Sequence, residues 1–230
     1  MIPLSTPLSE QLAPPGGWHP ANASRIAPID LRGSGSRARL LAWALGLFVK
    51  GDPPAIFLVL MRHWRLFRAW LSFAARLMPL GRLDRRDTEL AILRVGWLCR
   101  CRYEWGQHVV IGLRVGLTPR QIASVAQGAG APDWEPRQAA LLRAVDELQE
   151  RRILSQPTWD ALAAHYDEKK LLELVLLIGH YQMLAGLLNS LGLPLEPSAE
   201  EALARAPIHG AAPAQAAGAR PAAPAATAPP

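Results

Sequence analysis

The chain has 230 residues, half of them hydrophobic, enough for one domain with tails and a core of its own. Its formal charge is +6, and of its 25 Lys and Arg only Lys50, Lys169 and Lys170 are lysine; the arginines run from Arg25 to Arg220 without clustering, so they read as solvated helix faces and no nucleic-acid partner is expected. Two cysteines make no disulfide framework, the first residues lack a basic start followed by an apolar run, and the runs LLAWALGLFV and AIFLVLM are too short to cross a bilayer; the expectation is a cytoplasmic chain with no membrane partner.

Residues 1–37 are rich in Pro, Gly and Ser without periodicity and read as a flexible arm; the GSG at 33–35 is a linker, too little for a phosphate loop. A helical domain is expected over 38–204. AIFLVLMRHWRLFRAWLSFAARLM sets Leu60, Trp64, Phe67, Leu71 and Ala74 three and four apart, one apolar stripe of a helix. LDRRDTELAILRVGWL opens with Asp84 as an N-cap, and CRYEWGQHVVIGLRVG ends at Gly116. LTPRQIASVAQG carries a capping box, with Thr118 as cap, Pro119 at the first position and Gln121 three after the cap, and Gly128 as its stop. PRQAALLRAVDELQERR follows, then SQPTWDALAAHY behind Ser155, then DEKKLLELVLLIGHYQMLAGLLNSLG behind Asp167 and ahead of Gly192. Residues 205–230 are mostly Ala and Pro and predict a disordered tail. With no alternating run and no Asn-Gly or Asp-Gly turn, the fold class is all-α, a multi-helix bundle. The last long helix is apolar nearly all round and wants burial on several sides, which self-association would supply.

Both cysteines fall in CRCRYEWGQH. If the segment from 101 is helical, Cys101, Glu104, Trp105 and His108 sit at i, i+3, i+4 and i+7 on one face. A thiol, an acid and an imidazole on one stripe suit acid–base chemistry or a thiol of lowered pKa. The bland readings are a surface Glu104–His108 pair, a buried Cys101 and a structural Cys99. Glu89 lies on the preceding helix; a bend near Gly96 returns it to the stripe, and otherwise it is a first-turn acid. His180 reads as a satisfied core histidine. One His at this spacing is poor for zinc, so no metal is expected. The segment 117–145 does not make a helix-turn-helix, since its connection is long and its second helix has no base-reading face.

The stretch from Leu83 to Leu117 resembles the carboxymuconolactone decarboxylase family and its relative, the alkylhydroperoxidase D family. The peroxidase branch spaces Glu, eleven residues, Cys, two residues, Cys, three residues, His. Glu89, Cys101, Glu104 and His108 keep that spacing, with Glu104 where the second cysteine belongs. The decarboxylase branch carries Glu and His spaced as Glu104 and His108 are. The resemblance extends over about 54–196. It implies a compact all-α unit assembling as trimers or hexamers, and a lyase or isomerase for a small organic acid or lactone that needs no organic cofactor. In that reading His108 moves the proton at the carbon losing its carboxylate, Glu104 orients it and Glu89 completes the relay. Arg94 is the candidate for holding a substrate carboxylate, and Trp105 lines the pocket. The alternative is a thiol peroxidase in which Cys101 attacks peroxide and Cys99 resolves it; a further alternative is a helical binding protein with no enzymatic role.

Overall fold

The start and stop signals of the sequence place most of the helix ends. Among the described residues, 12–49 and 53–205, the computed structural model holds ten α-helices and no strand. In chain order they are α1 (Ser36–Val49), α2 (Ala55–Leu60), α3 (Trp64–Leu77), α4 (Arg85–Leu98), α5 (Arg102–Arg114), α6 (Pro119–Val125), α7 (Pro136–Arg151), α8 (Gln156–Ala163), α9 (Glu168–Leu191) and α10 (Pro197–Arg205). The all-α class read from the sequence holds. Asp84 accepts from the Arg86 N–H at 2.9 Å, Thr118 and Gln121 form the full capping box, Ser155 accepts from Thr158, and Asp167 accepts from Lys170 at 2.9 Å. Gly192 closes α9 in the left-handed region at φ 64°.

Helix α4 is the axis of the fold. Every residue from Asp87 to Trp97 is buried, and α5, α6, α7 and α9 all pack on it. Asp87, Glu89 and Arg94 on it are therefore dry. Helix α9 has the length and composition of a membrane span, longer than any apolar run noted in the sequence. A little over half of its apolar window is buried against the rest of the chain, as in the core helix of a globular fold.

Several expectations are corrected. The helix expected over 55–78 is broken by a 3₁₀ turn at Met61–His63, where the His63 ring accepts from the Leu66 N–H and starts α3 anew. Helix α6 ends at Val125 rather than Gly128, whose φ of +78° opens a second 3₁₀ turn. Helices α1 and α10 carried no cap or stripe strong enough to be read. The arm expected to be flexible is docked over its described part. The His19 N–H donates to the Arg100 carbonyl at 3.0 Å, Arg25 to Leu191 at 2.8 Å and Ile29 to Leu58 at 3.2 Å, and the Trp18 ring packs on Trp97 and Trp105. Residues 1–11 of the arm and 206–230 of the expected tail lie outside the described residues.

The bend between α4 and α5 is not at Gly96 but at Cys99–Cys101, where Arg100 takes φ 53°. That conformation is unfavourable for a side-chain-bearing residue. It is held by the Arg100 guanidinium donating to the carbonyls of Gly16 and Gly17 and by the Arg100 N–H donating to Trp97. Gly96 serves the hairpin differently: a Cβ there would stand 3.2 Å from the Trp105 backbone nitrogen, so its absence lets α5 close on α4. Gly96→Ala is expected to lower stability by about 1–3 kcal/mol. A denaturant titration checks this through a lower midpoint at unchanged slope.

Candidate active site

The hairpin brings an acid and an imidazole together in the dry interior. Glu89 Oε2 lies 2.6 Å from His108 Nδ1, with Glu89 0 % and His108 6 % exposed. The other oxygen, Oε1, accepts from Arg85 Nη2 at 2.9 Å, one turn back on α4. Glu89 is thus clasped between a guanidinium and an imidazole. A carboxylate at Nδ1 keeps the ring proton on that nitrogen and leaves Nε2 to react. Nε2 makes no hydrogen bond to the described residues. On α9, the Tyr181 ring meets the His108 ring edge-on, with centroids 5.1 Å apart at 88°.

Glu104 does not do what the helical spacing suggested. It is 2 % exposed, and neither carboxyl oxygen has a hydrogen-bond partner. Burial pushes its carboxyl well above the ordinary glutamate range, so it stands as a neutral acid. The imidazole nitrogen it was expected to orient is already held by Glu89 from the other helix. Cys101 is the residue capping α5 rather than part of its first turn, and it is buried. Burial first, and then Glu104, push the Cys101 thiol well up. Cys99 lies half-buried with Sγ 3.7 Å from Gln149 Oε1, and the same two causes push it up to about 11. Both cysteines are therefore thiols, not thiolates, at neutral pH.

Arg94 is engaged within the fold. Its Nε donates to Asp146 at 2.6 Å and its Nη1 to the carbonyls of Val125 and Ala126, which ties α4 to α7 and the end of α6. Trp105 belongs to an aromatic core cluster, 5.2 Å from Trp97 and 5.9 Å from Trp18. His180 is buried, but its Nδ1 has no partner; it stacks on Trp70 at 5.9 Å, and burial pushes its pKa down to about 4. Sequence reasoning missed Arg85, although its place four residues before Glu89 on a helix was a readable signal. The approach of Tyr181 to His108 had no local signal. Among the described residues no group of three or more His, Cys, Asp or Glu could hold a metal ion.

Because the folded chain keeps the Glu104 proton that the unfolded chain releases, its stability falls as pH rises through and above the ordinary glutamate range. Glu104→Gln is expected to remove that fall: little change in Tm near pH 4, and a Tm above wild type near pH 8. Thermal melts across that range check it.

Residues 65–147 match the carboxymuconolactone decarboxylase family, a span that contains Glu89, Cys101, Glu104 and His108. None of the curated proteins matches the chain. Among solved structures, a peroxidase-related protein with an alkylhydroperoxidase core from Ralstonia eutropha JMP134 superposes with a TM-score of 0.70 at 19 % identity, over 78 % of this chain and 95 % of the other. A peroxidase-related protein from Silicibacter sp. TM1040 gives 0.68 at 10 % identity over 78 % and 96 %. The debrominase Bmp8 gives 0.65 at 12 % over 80 % and 97 %, and a Cys-to-Ala variant of it has been solved with 2,3,4-tribromopyrrole. These likenesses concern the fold. The family match spans the α4–α5 hairpin, and the solved structures share the all-α fold around it.

Proposed function

We propose that the protein is an acid–base lyase or isomerase for a small organic acid or lactone, with His108 as the group that moves the proton. The observation that carries this reading is the 2.6 Å contact of Glu89 with His108 Nδ1. It leaves Nε2 to exchange a proton with substrate, and it places a carboxylate where the imidazolium needs one. In a decarboxylation the bond between the α-carbon and the carboxylate breaks. Its electron pair flows into the conjugated carbonyl or lactone, carbon dioxide leaves, and Nε2–H gives its proton to the carbon. Solvent then returns a proton to Nε2. The conjugated substrate is its own electron sink, so the step calls for no organic cofactor.

One observation favours the thiol peroxidase as a second reading. The left-handed Arg100 between Cys99 and Cys101 bends the chain where two thiols one residue apart would have to meet. Against it stand two thiols that resist ionisation and a neutral Glu104 at the position of the second motif cysteine. The two readings part on two variants. With carboxylated muconolactones as substrates, His108→Ala is expected to lower kcat by about 10²–10⁴-fold, while Cys101→Ser keeps turnover. Loss of peroxide reduction in Cys101→Ser would select the thiol reading instead, and two variants indistinguishable from wild type in both assays would select a binding protein.

The same proposal includes a homo-oligomer in the cytoplasm. Leu172, Leu176, Met183 and Leu187 are exposed along α9 at spacings of four, seven and four, one apolar stripe without cover in the single chain. Leu176→Glu combined with Met183→Glu is expected to reduce the mass measured by light scattering to that of the 25.0 kDa monomer, where wild type runs as a trimer or larger.

A further inference from the structure

Beside the Glu89–His108 pair, Arg85 and Tyr181 each have a donor that no described residue takes. Arg85 lies at the start of α4 with its side chain 32 % exposed, so it reaches from the solvent edge into the site. Its Nη2 is taken by Glu89, but its Nη1 is buried and has no partner. Tyr181 is 5 % exposed, and its hydroxyl makes no hydrogen bond to the described residues. Burial first, then the charge of Glu89, push its phenol well up, so it stays a neutral O–H donor. The same group feels Arg85, which puts the phenol and the guanidinium in one electrostatic neighbourhood. A buried donor without an acceptor is costly, and a site that leaves Arg85 Nη1 open beside an unengaged Tyr181 hydroxyl is one that a ligand completes. Both oxygens of Glu89 are already taken. Glu104 is a neutral acid, so when His108 carries its proton the cluster of Arg85, Glu89 and His108 has one positive charge in excess.

The geometry points to a carboxylate-binding site made by Arg85 Nη1 and the Tyr181 hydroxyl beside Nε2 of His108, taking a small organic acid. The inference rests on the acid–base reading above and supplies what that reading lacks, a group that recognises the acid once Arg94 is committed to Asp146. The carboxylate accepts from the guanidinium and the phenol, which is charge-assisted recognition, and holds the rest of the molecule against the edge of the imidazole.

The probe is sorbate, a small unsaturated monocarboxylate, measured by titration calorimetry against hexa-2,4-dien-1-ol, the neutral alcohol of the same chain. Wild type is expected to bind sorbate and not the alcohol. Arg85→Met is expected to weaken sorbate by about tenfold or more and Tyr181→Phe by about threefold or more. Arg120→Met, at an exposed arginine paired with Asp133, is expected to bind as wild type does. If Arg85→Met fails to fold, Arg85→Lys and Tyr181→Phe decide: the lysine keeps the charge but not the fork and is expected to bind more weakly. Equal binding of acid and alcohol, no binding of sorbate to wild type, or wild-type affinity in both Arg85 and Tyr181 variants overturns the site. The two claims fail separately. Sorbate binding without decarboxylation of any lactone acid would sink the reaction and leave the site. Turnover without sorbate binding would sink the site and leave the reaction.

Discussion

A carboxylate with no access to solvent is tolerated only where hydrogen-bond donors surround it. Glu89 is that group, and Arg85 from its own helix and His108 from the next are its donors. Truncating either partner would leave an acid stranded in the interior, at a cost of about 3–5 kcal/mol by analogy with other broken buried pairs. The clasp is therefore a structural and a chemical device at once. Asp87, two residues earlier and equally buried, has donors at one oxygen only: Arg137 and, at 2.8 Å, the Tyr166 hydroxyl both bond Oδ2, and Oδ1 has no partner. Glu104 is the exception. It has no donor and meets burial by keeping its proton.

Much of the surrounding fold can be understood as the means of making that clasp. Helix α4 must be covered on all sides for Glu89 to be dry, and four helices do so. Helix α5 must come close enough for His108 to reach it, which the missing Cβ at Gly96 permits. The reversal between the two helices occupies only Cys99–Cys101, and the strained Arg100 within it is secured by the N-terminal arm. The arm also lays Trp18 over Trp97 and Trp105, so a segment outside the family span helps to shape the hairpin inside it.

The sequence made some of this legible and hid the rest for definite reasons. Caps such as Asp84, Thr118 and Asp167 are local hydrogen bonds, and local spacing reveals them. The helical period put Glu104 and His108 one turn apart on α5, where both are buried, and the motif spacing included Glu89, which meets His108. What the period could not show was the partner. It counts neighbours along one helix, whereas His108 bonds across a hairpin to Glu89, leaving Glu104 alone. Arg94 looked like a free cation because Asp146, its partner, is 52 residues away. The arm looked flexible because backbone bonds to Arg100, Leu191 and Leu58 leave no mark in composition. Tyr181 reaches His108 only after α9 has folded back on α4 and α5, an event with no signature in its own segment.

The most direct test of the central claim is the tautomer of His108, read by long-range ¹⁵N–¹H correlation on imidazole-labelled protein in the range where the ring is neutral. The expected result is a protonated Nδ1 and an unprotonated Nε2, with that preference lost in Glu89→Gln. A proton found on Nε2, or a spectrum that Glu89→Gln leaves unchanged, would contradict the account.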